Sequence, residues 1–174
     1  EVGVTNCITG KHEYLSKENC SDMYLAASAS SSMPMVSKMI ELNHHVYLDG
    51  GIAMPIAYDR AHKLGYDKVV VVLTREQGYR KKERKKAVVR AYHKLYENYP
   101  NLVRRMDLVP AHYNQMQEEI DRLESEGKLF VIRPLEPVLV GRMEKNTDKL
   151  QDLYQKGKLI ADQRWNDLIQ YLEN

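Results

Sequence analysis

Hydrophobic and polar positions change period several times along this chain, and each change marks an element. Residues 1–9 (EVGVTNCIT) alternate, with Val2, Val4 and Ile8 in one phase, which predicts a strand. Thr9-Gly10-Lys11 reads as the turn after it. Residues 19–32 predict a helix, with Asn19 or Ser21 as its cap and Met23, Leu25 and Ala26 as apolar positions. Its second half, from Ala26 to Ser32, consists almost wholly of alanine and serine, so another backbone can lie close against it. Met33-Pro34 ends it, because proline disfavours helix in the residue before it. Residues 45–48 (HVYL) predict a short strand that runs straight into Asp49-Gly50-Gly51. A helix over 56–64 follows, with Pro55 at its entrance and Gly65 as its C-terminal cap. Residues 68–74 (KVVVVLT) are the strongest strand signal, an unbroken run of the kind a strand buried on both faces needs. Strand, helix and strand in this order predict a βαβ unit with parallel pairing.

Beyond Arg75 the pattern becomes basic and helical. Residues 87–99 and 108–126 read as helices, the second ending at Gly127, and 129–132 (LFVI) as one more short strand. From Asn146 onward two helices are expected, broken near Gly157, with Leu150, Leu153 and Tyr154, then Ile160, Leu168, Ile169 and Leu172 as apolar stripes. The alternation of element types predicts an α/β fold, a partial parallel-sheet layer followed by a helical extension. The division falls at 78/79: residues 1–78 carry the sheet, and 79–174 are mainly helical with the one strand near 129–132.

Composition narrows the class only slightly. Hydrophobic residues are 43% and charged residues 29% of 174, which is ordinary for a globular chain and argues against disorder. No apolar run approaches the roughly 18 residues that a membrane-spanning helix needs. Cys7 and Cys20 lack metal-site or redox-motif spacing and read as reduced thiols, which points to the cytoplasm. The opening residues do not form a basic-then-apolar leader. The chain starts on Glu1 and goes directly into a strand signal, so it reads as a piece cut from a longer protein.

Chemistry concentrates at Asp49. It lies at the end of a predicted strand, the edge at which open α/β sheets bind ligands, and two glycines follow it. Glycine allows unusual backbone angles and the close approach of another group. A carboxylate placed there can accept the proton of a nucleophilic hydroxyl. It can equally be the first residue of an Asp-Gly-Gly turn, bonded to nothing but local amides.

The wider pattern separates these readings. Residues 26–34 (AASASSSMP), then 47–51 (YLDGG), 56–60, Gly65 and 69–75 occur in an order that resembles the C-terminal half of the patatin-like phospholipase domain, over roughly residues 1–78. The resemblance implies an α/β-hydrolase-like sandwich and a serine–aspartate dyad, with Asp49 as the dyad aspartate and Gly50 and Gly51 as its supporting loop. It implies a lipid or other ester substrate, and neither cofactor nor metal. The family's Gly-x-Ser-x-Gly elbow and glycine-rich oxyanion loop do not occur here. Both lie upstream of the aspartate in family members, so these residues alone are expected to be inactive. The remainder looks like the C-terminal extension of bacterial patatin-like proteins.

Other residues carry blander expectations. Ser28, Ser30, Ser31 and Ser32 lack an elbow and a neighbouring base, and read as close-packing residues. His44 and His45 would point to opposite faces of a strand and cannot chelate together. Arg80, Lys81, Lys82, Arg84, Lys85 and Lys86, with tyrosines nearby, read as a solvated helix start or as a surface for anionic lipid headgroups. No motif supports nucleic-acid binding. The helical stripe that includes Trp165 is expected to pack on the sheet. A sheet lacking its first strands would leave an open edge, inviting self-association. The rival to a hydrolase is a binding module without chemistry, held to anionic surfaces by 80–86. A nucleotide-binding domain is the weaker rival, since no phosphate-binding glycine motif is present.

Overall fold

A computed structural model describes residues 1–141 and 144–173, and they form a mixed α/β protein of two compact units. The first unit comprises Glu1–Ala57 and Lys81–Gln115, the second Tyr58–Arg80 and the chain from Met116 onward. Each unit therefore draws on both sides of the 78/79 division.

The first unit is built on a sheet of four short antiparallel strands: β1 (Val2–Asn6), β2 (His12–Leu15), β3 (Ile40–Leu42) and β4 (His45–Asp49), in the order β2-β1-β4-β3. Strand β1 stops at Asn6, short of the predicted Thr9, because the Asn6 carboxamide accepts the N–H groups of Ile8 and Thr9 and turns the chain. One face packs Val4, Leu15, Leu42 and Tyr47 against helix α1 (Met23–Ser30), whose Ala26 and Ala29 are fully buried. The small side chains let α1 come so close that the Ser30 hydroxyl reaches the Gly3 carbonyl at 2.7 Å. Asp22, rather than Asn19 or Ser21, caps α1 by accepting the Leu25 N–H at 2.9 Å. Asn19 is engaged earlier, with Ser16 and Tyr14.

The opposite face of the sheet packs Cys7 and Leu48 against helix α3 (Lys86–Leu95) and the first part of helix α4 (Pro100–Ser125), numbered after the short helix α2 (Tyr58–Lys63). Tyr92, Tyr96, Leu102 and Met106 fill that layer. Burial pushes the Cys7 thiol up to about 12, so it is an inert core residue. Helix α4 begins at Pro100, earlier than the pattern predicts, and runs through Pro110. Proline has no N–H for the carbonyl four residues back, here Met106. The Arg84 guanidinium donates to that carbonyl instead.

The second unit carries a parallel pair, β5 (Val70–Val72) with β6 (Phe130–Ile132). Helix α5 (Thr147–Glu173) is continuous through Gly157, where a break was expected. It reaches the pair through Tyr171, whose hydroxyl accepts the Val69 N–H at 3.1 Å and whose ring stands 5.6 Å from that of Phe130. Trp165 stays exposed. Arg133 is buried and joins two carboxylates of α4, Asp121 at 2.6 Å and Glu124.

Two expectations fail here. The strands at 45–48 and 68–74 do not form a parallel βαβ unit: β4 pairs antiparallel with β1 and β3, and β5 takes β6 as its parallel partner. The segment 68–74 is also not buried on both faces, since Val71 is 7% exposed but Val72 is 70% exposed. A three-residue strand in a two-stranded sheet is covered on one side only.

Candidate functional site

Asp49 is the last residue of β4 and the N-cap of a single 3-10 turn, Gly50–Ile52. Its Oδ1 accepts the Gly51 N–H at 2.7 Å, the local amide bond that the turn reading anticipates. Among the described residues no group donates to Oδ2. The Asp49 N–H binds the Ser32 carbonyl at 2.9 Å, so the chain just beyond α1 also holds this strand end.

Of the two properties that glycine offers, close approach rather than an unusual backbone angle is the one used here. Neither has a positive φ. A Cβ on Gly50 would stand 2.3 Å from the Gly3 carbonyl oxygen, so Gly50 is small because the backbone of β1 passes over it, not because a ligand does. A Cβ on Gly51 would meet Asp49 Oδ1 at 3.0 Å.

Residues outside the predicted set secure the turn. The hydroxyl of Thr5, fully buried on β1, donates to the Asp49 carbonyl at 2.8 Å and accepts the Ala53 N–H at 3.1 Å. Arg105 on α4 donates to the Ala53 carbonyl and stands 2.6 Å from His112 Nδ1. Burial, then the Arg105 charge and His12, hold the His112 imidazole below its ordinary value. Nothing in the periodicity marks Thr5, since threonine is an ordinary strand former. Arg105 and His112 are seven residues apart on a helix, two turns, and so share a face, but their target is set by packing.

The basic run divides. Arg80 lies 3.6 Å from Glu118. Lys81 stands 4.1 Å above the Tyr113 ring, and its backbone pairs with the Asn114 carboxamide. Arg84 serves Met106 and lies 5.6 Å from Tyr92. Lys82, Lys85 and Lys86 are exposed, and no described residue ion-pairs with them. Only Lys86 belongs to α3; the rest form an extended lead-in, not the helix start that was expected.

Ser28 in α1 and Ser31 and Ser32 just beyond it bond back to helical carbonyls: Ser28 to Tyr24, Ser31 to Ala27 and Ser32 to Ser28. His44 sits in a turn with φ 62, and His45 opens β4. No cluster of three or more potential metal ligands occurs among the described residues. A cleft of about 470 Å³ elsewhere on the first unit is lined by Glu13, His45 and Tyr47 but not by Asp49. No helix among the described residues is long and apolar enough to cross a membrane.

Residues 99–173 match the model of a family described as a domain of unknown function, DUF6363. The matched segment holds α4, β6 and α5 and leaves out Asp49 and the basic run. No curated protein matches the chain.

Proposed function

We propose that this chain is the aspartate-bearing part of a serine lipid acyl hydrolase of patatin type, with Asp49 as the proton acceptor. The observation that carries the reading is a carboxylate at a strand end with one oxygen fixed by the Gly51 amide and the other without a donor among the described residues. A base needs such a held oxygen with a lone pair left for the incoming proton. The ordered set of motifs around Asp49 supports the same reading. The nucleophilic serine and the oxyanion donors come from outside these 174 residues.

In this reaction a serine hydroxyl gives its proton to Asp49 as its oxygen attacks the acyl carbonyl. The tetrahedral intermediate collapses, and the leaving alkoxide takes the proton back from Asp49. Water then attacks the acyl-serine, passes a proton to Asp49, and the fatty acid leaves as the serine is reprotonated. The 174 residues alone hydrolyse nothing. In a protein that joins them to the serine-bearing segment, Asp49→Asn lowers the hydrolysis of a p-nitrophenyl acyl ester by about 10²–10⁴-fold, the usual worth of a positioned base. Unchanged hydrolysis in that variant overturns the proposal.

The exposed trio Lys82, Lys85 and Lys86 favours a second reading, a module that binds anionic surfaces. Exchanging these three for glutamine then removes sedimentation with phosphatidylglycerol vesicles, whereas Asp49→Asn leaves it intact.

A further inference from the structure

The geometry points to Thr5 as a positioning residue for the Asp49 carboxylate, a role that rests on the reading of Asp49 as the proton acceptor. The carboxylate is anchored to the Gly51 amide, so Oδ1 stands wherever Gly51 stands. Gly51 belongs to a 3-10 turn of only three residues, closed by backbone bonds from Ala53 and Met54 to the Gly50 carbonyl. So short a turn has little stability of its own. The Thr5 hydroxyl spans it, donating to the carbonyl of Asp49, just before its first residue, and accepting the Ala53 amide, just beyond its last. Thr5 is fully buried in β1, which has partners on both sides, so the hydroxyl is held rigidly. Arg105 grips the Ala53 carbonyl from α4.

The hydroxyl is not explained by strand or core requirements. Valine has the same shape and an equal preference for strands. The Ala53 N–H also has the Gly50 carbonyl as an acceptor at 3.1 Å. What the hydroxyl adds is a tie across the turn that aims the carboxylate.

Amide exchange in this chain and kinetics in the joined protein test the assignment together. Thr5→Val accelerates exchange of the Gly51 amide roughly tenfold, the factor that one hydrogen bond carries, while the amides of α1 keep their rates. In the joined protein Thr5→Val lowers kcat at constant KM, and Thr5→Ser restores both readouts. Should Thr5→Val not fold, Arg105→Met releases Ala53 from the other side and gives the same selective loosening of Gly51 with a smaller factor. Gly51 exchange that is unchanged, or that rises equally with all sheet amides, overturns the positioning role whatever the kinetics do. A selective effect at Gly51 combined with full hydrolysis by Asp49→Asn overturns the base reading and the catalytic part of this inference with it.

Discussion

Pro110 and Arg84 are far apart in sequence yet meet at one carbonyl, and a double-mutant cycle can measure that meeting. Proline at 110 leaves the Met106 carbonyl without its helical donor, and the Arg84 guanidinium donates to it instead. A hydrogen bond from a charged donor contributes about 1.5–3 kcal/mol, and Arg84 is exposed, which places it at the low end. Its guanidinium also lies 5.6 Å from the Tyr92 ring. An exposed cation over an aromatic ring adds about 0.5 kcal/mol. Arg84→Ala therefore costs about 2 kcal/mol in the natural background. In a Pro110→Ala background the new amide reclaims the Met106 carbonyl, and the same truncation costs only the stacking, about 0.5 kcal/mol. The coupling is the difference, about 1.5 kcal/mol, well outside the roughly 0.5 kcal/mol scatter of independent sites. Urea unfolding of the four proteins, followed by circular dichroism at pH 7, reads it directly. Additive losses would show that Arg84 does not replace the missing helical donor, and that the bond contributes nothing to stability.

Two further perturbations separate local geometry from burial. Gly50→Ala forces a methyl into the β1 backbone, which cannot step aside, and destabilises the first unit by about 3 kcal/mol. Gly157→Ala, in the interior of α5 with nothing within 4 Å, stabilises by about 1 kcal/mol, and urea midpoints shifting in opposite directions confirm both. For pH, the folded state holds His112 below its ordinary value of 6.5, so the unfolded chain takes up the proton first. That stability is complete above pH 6.5 and is lost as the pH falls from there toward the depressed folded value. His112→Gln flattens this decline between pH 7.5 and 5.5 in urea titrations, and equal declines in both proteins would remove His112 as its source.

Periodicity located most of the elements because the features it reads are local. The small-residue stretch of α1 was legible as a close-packed helix, since alanine and serine leave no bulk to hold a neighbour away, and Gly3 does lie against it. The strands at 2–6 and 45–49 and the helices of the C-terminal half were visible for the same reason. Strands β2 and β3 were missed: HEYL and IEL are too short and polar to signal a strand, and they form only because β1 and β4 offer them free backbone groups. Pairing direction was likewise out of reach. An apolar run records that a strand is covered, not which strand covers it, so 68–74 looked like the partner of 45–48 and belongs to β6 instead. At the site, Asp-Gly-Gly stood out as a motif, but the role of Gly50 depends on a backbone more than forty residues away. The residues that hold the turn, Thr5 and Arg105, carry no local mark at all. Sequence alone marked most of the segments and the Asp-Gly-Gly motif, because propensity and capping act within a few residues. Tertiary structure alone decided what surrounds Asp49, because hydrogen bonds across the sheet and from α4 join groups whose spacing along the chain carries no information about their meeting.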